Sequence, residues 1–277
     1  MIKCCLTIAG SDSGGNAGVQ ADLRAFHAYG LHGCTVFTAL TAQNPDCVNA
    51  ILPVDAAFVA AQLDAVLGTY SIGALKTGML GDVAAIEAIA TRFAAHPEIC
   101  KVIDPVMIAT SGGKLAGEKS VDALISCLFP FATLITPNIP EAEVLMRKSR
   151  IKFADRRENG ENYAIDLAKA CYGQYGKAVL VKGGHSLADD AVDILCDGHG
   201  EISRFVLPRI PNPVSTHGTG CSLAAALAAE LCLGSSLRDA VAGAKRFVHD
   251  AIASSYYVGA NCGVLGFAPR KKGFCNG

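Results

Sequence analysis

Five short runs rich in β-branched and small apolar residues, Cys5 to Ala9, Ala74 to Lys76, Lys101 to Ile103, Leu134 to Thr136 and Ala178 to Val181, each end in a glycine, proline or polar cluster and give way to a helical pattern. The helical patterns cover Val19 to Tyr29, Ala56 to Leu67, Val83 to Ala95, Ile139 to Met146, Tyr163 to Tyr175, Ser222 to Leu233 and Leu237 to Ser255. Strand, loop and helix in repeated succession make βαβ units, and these place consecutive strands side by side in one direction. The expected fold is therefore α/β, a mainly parallel central β-sheet flanked by α-helices on both faces. Residues 33 to 53 depart from the pattern: two strands around Asn44-Pro45-Asp46 fit, and so does a pocket lining at Ala42 to Asn44.

Size and charge narrow the class further. A chain of 277 residues with 51% apolar and 18% charged content has ample core for one large domain over residues 1–277. Only the charge-dense stretch 147–162 reads as a surface excursion, and 266–277 reads as a flexible tail. Lys plus Arg number 24 against 25 Asp plus Glu, so the electrostatic attraction that drives nucleic-acid binding is missing, and nucleic acid is dropped as a partner. Mean hydropathy is positive, +0.34. No uncharged run reaches the roughly 18 to 20 residues needed to span a bilayer, so no membrane partner is expected. The first residues lack a signal-peptide pattern, and the cytoplasm is the default location. Twelve cysteines are scattered without a C-x-x-C pair, which fits mostly buried thiols in a reducing compartment rather than zinc ligands or a disulfide framework.

In an open parallel sheet, ligands bind beyond the carboxyl ends of the strands. The segments there are Gly10-Ser11-Asp12-Ser13-Gly14-Gly15-Asn16-Ala17-Gly18, Thr77-Gly78-Met79, Asp104-Pro105-Val106-Met107, Pro137-Asn138-Ile139-Pro140-Glu141, Lys182-Gly183-Gly184-His185 and Thr216-His217-Gly218-Thr219-Gly220-Cys221. The first fits neither the dinucleotide fingerprint nor the P-loop, because its glycines stand at 10, 14, 15 and 18 and Asn16 occupies the lysine position. Asp12 and Asp22 add polarity near it, although Asp22 can equally face solvent on its helix. Gly218 to Cys221 open a small-residue helix, so their amides and the helix dipole form a candidate anion hole; the same field lowers the pKa of a thiol at position 221 if that thiol is exposed, whereas these residues on their own favour a packed cysteine. Lys182 and Asp104 stand where a phosphate clamp and a magnesium-organising carboxylate are useful. Asn138 and Glu141, three apart on a first helical turn, share a face that suits water-ligated Mg²⁺. Singly each is more often a cap or a solvated charge; at successive strand ends they point together to phosphoryl transfer.

Seven segments in order, AGSDSGGNAGVQADL from Ala9, TALTAQN from Thr38, KTGML from Lys76, DPVM from Asp104, TPNIPE from Thr136, VKGGH from Val181 and HGTGCS from His217, resemble the hydroxymethylpyrimidine/phosphomethylpyrimidine kinases of the ribokinase-like superfamily. The resemblance runs from about residue 5 to residue 255. It implies ATP with Mg²⁺, a homodimer, and two successive phosphorylations of 4-amino-5-hydroxymethyl-2-methylpyrimidine in thiamine biosynthesis. By motif, it places Gln43 on the pyrimidine, where a carboxamide matches an exocyclic amine beside a ring nitrogen. Gly10, Asp22, Met79 and Val106 then line the pyrimidine pocket. Lys182, Asn138, Thr219, Glu141 and Asp104 surround the ATP phosphates and metal, with Asp104, Glu141 and Asn138 holding Mg²⁺ through water. The Gly218, Thr219, Gly220 and Cys221 amides surround the transferring phosphoryl group, and the Cys221 thiol accepts or orients the hydroxymethyl proton. Asn16 stands where the family has glycine; asparagine tolerates positive φ better than most residues.

Two other readings compete. A pyridoxal kinase of the same superfamily needs the same anion hole and nucleotide site for its hydroxymethylated pyridine. A catalytically silent sensor that binds pyrimidine or nucleotide without turnover keeps the fold, yet has little use for Lys182, Asp104 and the intact Gly218 to Gly220 loop.

Overall fold

The computed structural model describes residues 2–45, 47–107, 117–148, 160–183, 190–259 and 262–269. The middle of the expected excursion (149–159), Gly184 and His185 of the fifth rim segment, and 270–277 of the expected tail fall outside these residues.

Nine strands form one sheet: β1 (Cys4–Asp12), β2 (His32–Gln43), β3 (Val48–Pro53), β4 (Ile72–Thr77), β5 (Cys100–Ile103), β6 (Leu134–Ile135), β7 (Ala178–Val181), β8 (Asp190–Cys196) and β9 (Ile202–Pro208). Their spatial order is β3-β2-β1-β4-β5-β6-β7-β8-β9. The five pairings from β2 through β1, β4, β5 and β6 to β7 are parallel, and the antiparallel pairings β2–β3, β7–β8 and β8–β9 extend the sheet at its two edges.

Successive side chains of a strand point to opposite faces, and both faces here are apolar. On one face Cys5, Ala74, Val102, Leu134 and Leu180 pack against α1 (Gly18–Ala28), α7 (Thr219–Leu233) and α8 (Leu237–Ala253). On the other, Leu6, Ile8, Leu75 and Ile103 meet α2 (Ala56–Leu67), α3 (Val83–Ala95) and α4 (Glu118–Ala123), while Val179, Val181 and Ile194 meet α5 (Ile139–Lys148) and α6 (Gly160–Tyr175). The expected helix-flanked, mainly parallel sheet is the observed architecture.

Local signals explain which boundaries were readable. Asp55 caps α2 by accepting from Ala57 N at 2.8 Å, and Asp82 caps α3 by accepting from Ala85 N at 2.9 Å. Caps of this kind fix a helix start, and both helices coincide with the predicted spans. Helix α7 begins at Thr219, three residues before its predicted start, because Gly218 in a left-handed conformation (φ +84°) turns the chain directly into the first helical turn. Strands β8 and β9 carried no clear periodic signal; β8 runs from exposed to buried along its length and β9 is mostly surface. The cysteines are less buried than expected. All eleven described cysteines are free, five are buried, and the others include Cys4 and Cys100 at the starts of β1 and β5, where the core stops.

Candidate active site

Five of the predicted rim segments meet at the carboxyl ends of the parallel strands. Asp104, just past β5, is buried and accepts two hydrogen bonds at Oδ1, from Thr136 Oγ1 at 2.9 Å and from Lys182 Nζ at 2.8 Å. Lys182 follows β7; its backbone N–H donates to the Pro137 carbonyl at 2.9 Å, and its Nζ lies 3.9 Å from Glu141 Oε2. Burial opposes the Lys182 charge, yet Asp104 and Glu141 outweigh it and hold the ammonium above the usual lysine range. A Cβ at Gly220 would stand 3.8 Å from Lys182 Nζ, so the ammonium faces the first turn of α7. The tertiary fold thus gathers Lys182, Asp104, Glu141 and the Gly218–Cys221 helix start.

Asn138 and Glu141 bond to each other. Asn138 N–H donates to Glu141 Oε2 and Glu141 N–H donates to Asn138 Oδ1, each at 2.8 Å, the reciprocal cap of a helix start. This capping role coexists with their place beside Lys182. Burial and the Asp104 charge push the Glu141 carboxyl above the usual carboxylate range, against Lys182 and the Asn138 amide. These two hard carboxylates would suit a hydrated Mg²⁺ ion, which would supply charge neutralisation there. Among the described residues no cluster of three or more His, Cys, Asp or Glu side chains makes an all-protein metal cage.

No side chain caps α7; Ser222 N and Oγ both donate to the Gly218 carbonyl, at 2.9 and 2.8 Å, and Thr219 N reaches only the Thr216 carbonyl at 3.5 Å. A Cβ on Gly218 would collide with the Asn16 carbonyl, so this turn is pressed against the first loop. Cys221 does not show the lowered pKa of an exposed thiol at a helix start. Burial pushes its thiol above the ordinary range, assisted by the charges of Asp22 and Asp104, and the opposing pull of Lys76 and of the Gly18 amide is too small to reverse this. At rest Cys221 is a thiol, because desolvation exceeds the field that was expected to lower its pKa.

The first loop is built around Asp12. Its Oδ1 accepts from Gly14 N at 2.8 Å, and its Oδ2 accepts from Asn16 N at 2.9 Å and Ala17 N at 2.8 Å. Burial works against this carboxylate, but the nearby His217 and the three amides overcome it and hold its pKa low. Asn16 needs no positive φ; that conformation falls to Gly15 (φ +76°) and Gly18 (φ +57°). The loop docks on the end of β2, where Ser13 Oγ bridges the Gln43 backbone, donating to its carbonyl and accepting from its N–H, each at 2.8 Å. The half-buried Gln43 side chain accepts from Thr41 Oγ1 at 3.2 Å through Oε1. The Met79 methyl lies over Gly10, in space that a Cβ there would fill. Val106 lines a cleft with Asp104, Gly78 and Gly81.

Asp22 does not face solvent. It is fully buried beneath the rim, with Oδ2 accepting from Thr7 Oγ1 at 2.6 Å and from Lys76 Nζ at 2.7 Å. Lys76 is equally buried, and the Asp22 carboxylate, with Asp104 behind it, holds its ammonium charged against the burial penalty. In the sequence Lys76 ends a strand run and opens the KTGML segment, and nothing local in Gly73-Ala74-Leu75-Lys76-Thr77-Gly78 shows which face it takes. Asn16 Oδ1, Asp22 Oδ1, Thr77 Oγ1 and His217 Nε2 are all buried around this rim without a hydrogen-bond partner in the protein. Such unpaired atoms are costly unless a polar ligand or water completes them.

A phosphomethylpyrimidine kinase family model matches residues 12–266. The chain is 43% identical, over 93% of its length and 94% of the relative, to a hydroxymethylpyrimidine/phosphomethylpyrimidine kinase of Haemophilus influenzae. It is 46% identical over 89% of its length to a thiamine biosynthesis bifunctional protein of Geobacter sulfurreducens, of which it spans about half, 48%. The ADP complex of Bacillus subtilis pyridoxal kinase superposes with a TM-score of 0.85 at 33% identity, covering 97% of this chain and 98% of that one. The matched region contains the converging rim segments apart from Gly10 and Ser11 of the first, and on that breadth the chain belongs to the phosphomethylpyrimidine kinase family.

Proposed function

We propose that the protein transfers the γ-phosphoryl group of ATP to the hydroxyl of 4-amino-5-hydroxymethyl-2-methylpyrimidine, and then phosphorylates the monophosphate to the diphosphate, within thiamine biosynthesis. The observation that carries this reading is the convergence of Lys182, Asp104 and Glu141 on the uncapped start of α7. Phosphoryl transfer asks the protein mainly for position and charge neutralisation, which an ammonium and a helix start that no side chain caps supply. Lys182 contacts the nucleotide phosphates, with Asn138 and Thr219 beside it. Asp104 and Glu141 hold Mg²⁺ through water, Asn138 orienting Glu141; bound there, the ion neutralises charge on the phosphate oxygens. The amides of Gly218, Thr219, Gly220 and Cys221 bind the transferring group.

Gln43 reads the pyrimidine edge, and Gly10, Asp22, Met79 and Val106 shape its pocket. Cys221, protonated at rest, orients the acceptor hydroxyl through a hydrogen bond; because the thiol already holds its own proton, the hydroxyl proton passes to an oxygen of the transferred phosphoryl group. The catalytic unit is a single domain acting in the cytoplasm as a homodimer. The β2–β3 edge supplies the dimer face, since Leu40 and Leu52 pair across these strands and both are exposed, at 45% and 65%.

A second substrate is favoured by one finding, the close superposition on a pyridoxal kinase. Mg-ATP with hydroxymethylpyrimidine or with pyridoxal, resolved by mass spectrometry, tests both readings. Pyrimidine diphosphate is the expected product. Pyridoxal phosphate alone would move the assignment, and ligand binding without any product would make the chain a sensor.

A further inference from the structure

One buried charge pair outside the rim touches the segment that carries Lys182. Lys245, on α8, donates from Nζ to Asp193 Oδ2 at 2.7 Å, and the other carboxylate oxygen, Oδ1, accepts the Gly183 N–H at 2.9 Å. Both side chains are buried, each 9% exposed. Gly183 lies so close to β8 that a Cβ on it would collide with the Val192 carbonyl. Lys182 is therefore held on three sides, by Pro137 at its N–H, by Asp104 at its Nζ, and by Asp193 through the next peptide.

A buried carboxylate with no counter-charge would be costly and free to rotate. Lys245 removes both problems, because it neutralises the charge and fixes the rotamer that turns Oδ1 toward the amide. We propose that Asp193, locked by Lys245, is a positioning residue that sets Lys182 against the nucleotide phosphates and so determines affinity for ATP rather than for the pyrimidine. An ammonium that neutralises phosphate charge must be placed to within a fraction of an ångström, and such placement comes from supporting hydrogen bonds of this kind. The inference rests on the reading of Lys182 as a nucleotide contact.

Two double variants separate positioning from folding. D193N/K245M keeps a neutral acceptor for the Gly183 amide, whereas D193L/K245M removes it; both lack the buried ions and share any folding effect of their loss. KM for ATP, KM for hydroxymethylpyrimidine and kcat are measured for each, together with the Kd of a non-hydrolysable ATP analogue. D193N/K245M is expected to stay within about threefold of the parent in KM for ATP, and D193L/K245M to rise about tenfold, the value of one hydrogen bond, with KM for the pyrimidine unchanged. Equal ATP KM in the two variants, or parallel rises for both substrates, would overturn the proposal. Should D193L/K245M fail to fold, K245M against K245R makes the same comparison: the arginine variant is expected to hold the parental ATP KM and the methionine variant to lose it, and equal values would overturn the proposal. Lys182→Met runs beside them. No ATP-specific change there removes the reading of Lys182 and the proposal with it, while an ATP-specific change in K182M but not in D193L/K245M removes the proposal alone.

Discussion

Replacing Lys76 by methionine tests whether the charge pair under the rim is as consequential as its burial implies. Lys76 and Asp22 are both 0% exposed and 2.7 Å apart. At an effective dielectric of about 20 their attraction is roughly 6 kcal/mol, set against several kcal/mol of desolvation for each ion. The intact pair is therefore near balance, but removal of one partner leaves the other charged, buried and alone, which costs about 3–5 kcal/mol. Lys76→Met should lower the unfolding free energy by that amount, and Tm by about 6–20 °C at 2–4 °C per kcal/mol. The double variant D22N/K76M should recover most of the loss, since no buried charge remains and Thr7 Oγ1 still meets an acceptor at position 22. Urea unfolding of the parent, both single variants and the double variant gives the coupling energy directly. The sign with pH is fixed as well. Lys76 is held above its unfolded value of 10.5, so the stability it contributes is complete below pH 10.5 and is lost as pH rises through the higher folded value. A K76M loss under about 1 kcal/mol, or a coupling near zero, would show that the pair is not the closed unit described here.

Three other perturbations report on different parts of the molecule. Gly218→Ala forces a side chain into a left-handed turn against the Asn16 carbonyl and should lower kcat about 100- to 1,000-fold by displacing the amide row, with a circular dichroism spectrum like the parent's; a fall under tenfold would mean the amides are not the phosphoryl contact. Glu141→Gln keeps an acceptor for Asn138 N–H, so unfolding free energy should move by less than about 0.5 kcal/mol while half-saturating Mg²⁺ rises about tenfold; Asn138→Ala should instead cost about 1 kcal/mol through the lost cap. Lys101 is buried with Nζ donating to the His96 and Ile99 carbonyls, at 2.5 and 2.8 Å, and burial holds its pKa below 10.5. The unfolded chain therefore binds more protons just below pH 10.5, so stability should rise with pH in that window and this rise should vanish in Lys101→Met, as followed by urea unfolding.

Periodicity and caps made the fold class legible. Helices α2 and α3 match their predicted spans because an amphipathic run and an aspartate cap coincide, and the core strands β1, β4, β5 and β7 announce themselves by apolar runs cut short by glycine or proline. Helix α4 and strands β8 and β9 were not anticipated: α4 has six residues, too few to show a period, and the two edge strands are stabilised by pairing with a neighbour rather than by a pattern of their own. The residue types at the rim were also legible, since Asp104, Asn138, Glu141, Lys182 and Gly218 to Cys221 each follow a strand end or open a helix.

What those residues do to one another was not. Sequence can place Asn138 and Glu141 three apart but cannot say that they cap each other, and it placed Cys221 in a field that lowers its pKa without the enclosure that raises it. Asp22 and Lys76 stand 54 residues apart, and nothing local in either segment indicates that α1 lays one on the other. The order of strands, the helices between them and the polar letters at their ends follow from short-range chemistry, which a chain carries in neighbouring residues. Pairing, burial and the resulting charge states depend on distances between remote segments, and those exist only once the sheet has closed beneath its helices.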